Sequence, residues 1–356
     1  MDEEKPPAVD GPSRAERPRL FLTRRIPEPG MSMIHEVFTV AGGEQDRPLA
    51  RDPLLRGVVG ADAVLCLLTE TVGAAVMDAA GPGLRVISNM AVGVDNIDVA
   101  AATTRGILVT NTPDVLTDAT ADLAWALILS VVRRVVEGDR MVREGRFEPW
   151  SPFMLLGRAV AGATLGVVGM GRIGQAVARR ALGWDMRVLY TRRSGPLPPE
   201  AVPAGARWEY RENVDELLGE VDIVSLHVPL LPETRHLIGA RELALMRSGS
   251  YLVNTARGPV VDEVALVQAL REGHLAGAGL DVYEREPELA AGLTDLVNVV
   301  LLPHVGSATV ETRSRMAGLA AINAIAAVRG EPVPHPVNTE VLSAGGRLSV
   351  DRGSWR

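Results

Sequence analysis

Residues 164–182 read TLGVVGMGRIGQAVARRAL, an uninterrupted apolar run that gives way to a stretch of helix formers. The first part, 165–168, predicts a strand buried on both faces, and 172–182 predicts a helix directly behind it. Between them Gly169, Gly171 and Gly174 form Gly-x-Gly-x-x-Gly. Glycines at these places permit a tight turn and close backbone approach. The N-terminus of the following helix then offers free N–H groups and the positive end of its dipole to a pyrophosphate. A glycine pattern alone is weak, but the strand before it and the helix after it are the context a dinucleotide site requires.

Working outward, short runs rich in Val, Ile and Leu recur at 187–190, 223–228, 251–254, 278–281 and 299–302, with helical patterns between them. Upstream, similar runs at 20–23, 63–68, 86–88 and 107–110 alternate with Ala-rich segments at 71–80 and 96–104. Buried strands alternating with helices indicate parallel βαβ units, so the chain reads as α/β with two doubly wound parallel sheets. In 118–145, Leu123, Leu127, Ile128, Val131, Val132 and Val135 recur at helical spacing, as one long helix or two in series, and a last apolar helix covers 311–327. An apolar face as long as 118–150 predicts packing on another subunit, hence a homodimer.

The bulk composition narrows the function classes. A chain of 356 residues is comfortable as two domains. With 47% hydrophobic and 23% charged residues it has the balance of a globular protein. A net charge of -7 without a basic stripe gives a nucleic acid little to bind. Cys66, the only cysteine, excludes an internal disulfide and reads as a buried small hydrophobe. Residues 1–18 lack the apolar core of a signal peptide, and no apolar run approaches a membrane span, so the expectation is a cytoplasmic protein with no membrane partner.

About twenty residues after the glycine loop, where a site for NAD usually offers a carboxylate to the ribose 2′-hydroxyl, the chain has Thr191, Arg192, Arg193 and Ser194. No acid repels a 2′-phosphate there, and a guanidinium can hold one, so NADP(H) is the expected cofactor, with NAD(H) the alternative. The contrary reading leaves both arginines as solvated loop residues.

Three segments follow successive strands and carry chemistry: Asn254-Thr255-Ala256-Arg257-Gly258, Asp281-Val282-Tyr283-Glu284-Arg285-Glu286-Pro287, and Pro303-His304-Val305-Gly306-Ser307-Ala308. The carboxyl edge of a parallel sheet is where ligands bind, so the three can converge although distant in sequence. Histidine serves as acid or base near neutral pH, and planar Arg257 matches a carboxylate. The remaining histidines, His35, His227, His236, His274 and His335, have no partner at metal-ligand spacing and are read as structural, so no metal is expected.

These segments, with FLTRRIP at 21–27, NMAVGVD at 89–95, NTPDVLTDATA at 111–121 and the glycine loop, resemble the D-2-hydroxyacid dehydrogenase family, and within it the glyoxylate and hydroxypyruvate reductases. The resemblance implies a Rossmann dinucleotide-binding domain, 116–303, inserted into a flavodoxin-like substrate domain formed by 19–115 and 304–337, with a disordered leader at 1–18 and a polar tail at 338–356. It implies that Arg257 clamps the carboxylate of a small 2-ketoacid, that His304 gives the carbonyl oxygen a proton, and that Glu286, rather than Glu284, is the histidine's acid. The backbone N–H groups of Val92 and Gly93 would be a second carboxylate grip, and Trp150 would reach a neighbouring active site in a dimer. Thr117, Arg172, Ile173, Val228, Thr255, Asp281 and Gly306 would line the cofactor with the glycine loop, Asp281 at the nicotinamide carboxamide. The competing readings are another substrate on the same fold (3-phosphoglycerate, D-lactate, phosphite or formate) and a dinucleotide-sensing binding protein like the family's corepressors.

Overall fold

The computed structural model describes residues 17–345. Its contacts divide the chain into two compact units, one formed by residues up to Val115 together with those from Val310 onward, the other by Leu116–Thr309. No helix among the described residues is long and apolar enough to cross a membrane.

The first unit is built on strands β1 (Arg19–Leu22), β2 (Thr39–Gly42), β3 (Ala63–Cys66), β4 (Val86–Asn89) and β5 (Leu108–Thr110). They form one parallel sheet in the order β2-β1-β3-β4-β5, the flavodoxin-like winding. Every residue of β3, β4 and β5 is buried, which is why these runs carry no polar alternation: helices must cover both faces. The helix Val310–Arg329 supplies one cover, packing on β3, β4 and β5, with Ser88 Oγ donating to the Ala320 carbonyl at 2.8 Å.

Residues 338–345 depart from the polar tail expected at 338–356, the rest of which lies outside the described residues. Asn338 is buried, and its side chain accepts from Val109 N at 2.7 Å while donating to Ile107 O and Thr103 Oγ1, both at 2.9 Å. It thereby satisfies backbone groups of β5 that no strand pairs, and a short helix, Glu340–Gly345, follows. The leader expected at 1–18 lies outside the described residues except for Arg17 and Pro18, and Pro18 already accepts a hydrogen bond from Thr39 N.

The second unit holds β6 (Thr164–Val168), β7 (Arg187–Thr191), β8 (Arg207–Tyr210), β9 (Ile223–Leu226), β10 (Tyr251–Asn254), β11 (Gly277–Leu280) and β12 (Val299–Leu301). All pair in parallel, in the order β12-β11-β10-β9-β6-β7-β8, the doubly wound Rossmann arrangement whose winding reverses between β9 and β6. The helix Thr117–Val132 lies over β10 and β11. It comes close because β11 offers glycines: a Cβ at Gly277 would fall 2.7 Å from Val131, and one at Gly279 would fall 3.0 Å from Leu127. The 118–145 stretch is two helices, not one, because Arg134 turns left-handed (φ 56°) before Val135–Arg143 begins. That second helix buries none of its residues.

Candidate active site

Because every strand of the second unit runs the same way, the segments after β6, β7, β9, β10, β11 and β12 leave one edge of the sheet. The three glycines after β6 differ in what surrounds them. Gly169 has φ 97°, and a Cβ there would fall 2.8 Å from the His227 backbone and 2.9 Å from Val228 Cγ1. Gly174 faces the Gly169 carbonyl and Val167 across the strand-helix junction, too close for a side chain. A Cβ on Gly171, at the helix N-terminus, meets nothing within 4 Å. Two glycines are therefore required by the protein's own packing, while the third leaves open space where a ligand backbone would approach. The loop is tied to β7, since Gly169 N and Met170 N both donate to Thr191 O. Arg172 is exposed and Ile173 half-buried, as are Thr117 and Val228.

Beyond Thr191, Arg192 is half-buried, and Arg193 and Ser194 are exposed. Arg193 meets Glu233 in a long contact of 3.6 Å between exposed groups, which holds the guanidinium weakly. After β10, the Thr255 hydroxyl is buried without a hydrogen-bond partner among the described residues, a polar atom directed at nothing the chain supplies. These features, an open helix N-terminus, a hydroxyl without a partner among the described residues and an exposed, weakly held guanidinium, fit a dinucleotide.

The catalytic candidates meet at the same edge. His304 Nδ1 lies 2.8 Å from Glu286 Oε2, and Glu286 Oε1 accepts from Tyr283 N at 3.1 Å. Burial pushes the Glu286 carboxyl up, but the hydrogen bond and charge of His304, the Tyr283 N–H and the Arg257 charge outweigh it, and the group is held below its ordinary 4.5. His304 sits in left-handed backbone, φ 55°, and its turn is pinned by Asp281, whose two oxygens accept from Val305 N at 2.7 Å and Gly306 N at 2.8 Å. Residues 304–309 consequently belong with the second unit. Burial raises the Asp281 carboxyl; those N–H groups and the His304 charge oppose it without reversing it. Each oxygen keeps a further lone pair for a ligand amide. Arg257 donates to its neighbour Ala256 O at 2.8 Å, and its own carbonyl is held by Asn254 Nδ2 at 2.9 Å.

Glu284, the other acid of the segment, faces away from this pair. It accepts from Glu263 N at 3.1 Å and contacts His236 Nε2 at 3.2 Å. Trp150 is 80% exposed in the loop after the helix Val135–Arg143. Val92 and Gly93 lie in the first unit, in the turn after β4, where Asn111 Nδ2 takes the Val92 carbonyl at 2.8 Å and Asn89 Nδ2 that of Gly93 at 2.9 Å. Of the remaining histidines, His274 is bound to the Leu243 and Met246 carbonyls, and His227 shares a hydrogen with Ser225 at 2.8 Å.

Residues 125–306 match the model of the D-isomer specific 2-hydroxyacid dehydrogenase NAD binding domain. The chain belongs to that family. Two archaeal relatives, glyoxylate reductases of Thermofilum pendens and Thermococcus kodakarensis, are 50% and 51% identical over 92% of this chain, and the matches cover 96% and 98% of their own lengths. Among solved structures, the NADPH-dependent glyoxylate/hydroxypyruvate reductase of Sinorhizobium meliloti, in complex with NADP and malonate, superposes with a TM-score of 0.77 at 34% identity, over 92% of this chain and 98% of that one. This chain is accordingly an NAD(P)-dependent dehydrogenase of the 2-hydroxyacid family.

The sequence offers candidates for the reacting groups but not what holds them in place. Gly258 and Glu263 carry no such signal in the sequence: a glycine after a strand commonly marks only a turn, and an acid at the start of a helix usually signals nothing beyond the helix dipole.

Proposed function

We propose that this protein reduces small 2-ketoacids, glyoxylate and hydroxypyruvate, to the corresponding 2-hydroxyacids, with NADPH preferred over NADH and His304 as the general acid. The observation that carries the reading is the His304–Glu286 pair at 2.8 Å on the sheet edge that also bears the open glycine loop. When bound, the dinucleotide supplies the hydride. Gly171 and the first turn of the helix Arg172–Ala181 would take its pyrophosphate, Arg192 and Arg193 its 2′-phosphate, Thr255 and Asp281 its nicotinamide end. Arg257 neutralises and orients the ketoacid carboxylate. Glu286 accepts Nδ1–H, so the opposite nitrogen, Nε2, carries the proton given to the carbonyl oxygen as it becomes a hydroxyl. Solvent returns that proton, and the net change is ketoacid, reduced dinucleotide and one proton to hydroxyacid and oxidised dinucleotide.

The names of the relatives support the substrate class, and the absence of an acid after β7 supports the cofactor preference. A homodimer belongs to the same proposal. Val135, Val136, Val142, Phe147, Trp150, Phe153 and Leu156 are all exposed, between 41% and 82%, on a helix and loop that bury nothing of their own. Light scattering should report a dimer, and serine at Phe147, Trp150 and Phe153 together should yield monomers; a wild-type monomer would refute this contact.

The deciding assay follows the near-ultraviolet absorbance of reduced nicotinamide with glyoxylate or hydroxypyruvate and either dinucleotide. Turnover favouring NADPH, lost in His304→Gln with cofactor binding intact, is expected. Turnover in His304→Gln comparable to wild type would overturn the role of the histidine, and none in the wild type would overturn the substrate class.

A further inference from the structure

Behind the catalytic edge, two acids that the reaction does not use face one another. Glu284 N donates to Glu263 Oε1 at 2.7 Å, and Glu263 N donates to Glu284 Oε1 at 3.1 Å, a reciprocal exchange between two segments 21 residues apart. Glu263 is only 5% exposed. Burial pushes its carboxyl up, the Glu284 and Ala290 backbone groups pull it down, and the charges of Glu284 and Glu286 push it up further, so it stays above its ordinary range. Two like-charged groups held together in a half-buried place cost stability, and the native fold retains them.

The two segments so joined are those that carry the chemistry. Glu263 begins the helix that follows the Arg257 turn, and Glu284 stands two residues before Glu286. Between them, Gly258 lies directly on the Tyr283 carbonyl and the Glu284 nitrogen, where no Cβ fits. Tyr283 N in turn donates to Glu286. The arrangement is closed on its outer side by His236, whose Nε2 is 3.2 Å from Glu284 Oε1 and whose N donates to Pro259 O at 2.8 Å. Each link is short, and together they run unbroken from the Arg257 turn to the Glu286 carboxylate.

We propose that Glu263 and Glu284 are positioning residues, whose exchanged carboxylate-to-backbone hydrogen bonds, with the glycine contact at 258, set Arg257 and Glu286 as one rigid piece. The assignment rests on the roles given above to Arg257 and Glu286. It follows that neither acid touches substrate, and that loosening the staple misplaces the carboxylate grip and the support of the histidine together. Displacements of about 1 Å at such a distance from the chemistry cost rates of about 100-fold.

The test compares Glu263→Ala with Glu263→Gln in the full-length protein. Alanine leaves Glu284 N without its acceptor, whereas the glutamine amide oxygen restores one. The expected result is a loss of about 10- to 100-fold in kcat/KM in the alanine variant, with both KM for the ketoacid and kcat affected. NADPH affinity should stay within about twofold of wild type, a difference under 1 kcal/mol, and glutamine should recover most of the activity. Hydrogen exchange at the amides of 283–286 should quicken in the alanine variant. Unchanged kinetics in Glu263→Ala, or a fall in NADPH affinity that tracks the activity, would overturn the proposal. If Glu263→Ala does not fold, Glu284→Ala breaks the same exchange from the more exposed side, with the same readings. If the wild type turns over no ketoacid, the reading of the reaction fails but the staple is still decided: faster exchange at 283–286 sustains it, and unaltered exchange sinks it.

Discussion

Gly171 and Gly174 are three residues apart in one loop, and the structure assigns them opposite reasons for being glycine. An alanine methyl at Gly174 would press on the Gly169 carbonyl and stand 3.1 Å from Val167 Cγ1, and a backbone oxygen cannot rotate away. Overpacking of this kind costs about 3 kcal/mol at its upper end. The better helix propensity of alanine returns about 1 kcal/mol, which leaves a net loss of about 2 kcal/mol, or roughly 4–8 °C in the melting temperature of a domain this size. At Gly171 the methyl meets nothing, and the backbone there (φ -81°, ψ -161°) suits any residue, so Gly171→Ala should melt with the wild type. Its effect should appear only when the dinucleotide is added. A methyl between the helix N-terminus and the pyrophosphate should weaken NADPH by about tenfold or more, at least 1.4 kcal/mol. Melting curves with and without NADPH, together with titration calorimetry, separate the two. Wild-type affinity in Gly171→Ala would refute the placement of the pyrophosphate, and wild-type melting in Gly174→Ala would refute the packing argument.

Three further outcomes are expected. Asn338→Ala strands Val109 N–H and Ile107 C=O inside the first unit and should cost about 3 kcal/mol in urea unfolding; a change under about 1 kcal/mol would show that those groups find other partners. Replacing Arg192 and Arg193 with alanine should raise KM for NADPH far more than for NADH, and equal losses would place the 2′-phosphate elsewhere. Because the folded Glu286 carboxyl lies below 4.5, its stabilising pairing is fully present above that value and is lost only as pH falls through the lower folded value. Glu286→Gln should therefore flatten the acid side of the stability-pH curve, measured by urea midpoints, and an unaltered curve would count against the pairing.

How much was legible in the sequence follows from what each residue faces. Strands β3, β4, β6, β9 and β10 were readable because burial on both faces leaves mostly apolar choices, and their order in the chain implied parallel winding. Strands β2 and β8 were not, since both are edges: TVAG ends on a left-handed glycine, and RWEY presents Arg207 and Glu209 to solvent and to Arg187. The helix at 340–345 and the anchoring of Asn338 were hidden for a related reason, because a polar residue that binds β5 backbone looks the same in sequence as one bound to water. In the site, Arg257 and His304 stand out by residue type and place along the chain, whereas the choice of Glu286 over Glu284 came only from the family resemblance. What separates Glu286 from Glu284 in the structure is which backbone each one answers to, and that depends on contacts between distant segments.

The split of the first unit between the two ends of the chain bears on how the protein is made. Residues 116–309 are contiguous, so the dinucleotide-binding unit can close as soon as it leaves the ribosome. The five-stranded sheet is synthesised first but has to wait, with one face of β3, β4 and β5 uncovered, until the helix Val310–Arg329 arrives nearly two hundred residues later. During that interval its apolar strands are open to association with other nascent chains. Truncation or slow translation after residue 309 should therefore harm the first-made unit and spare the second.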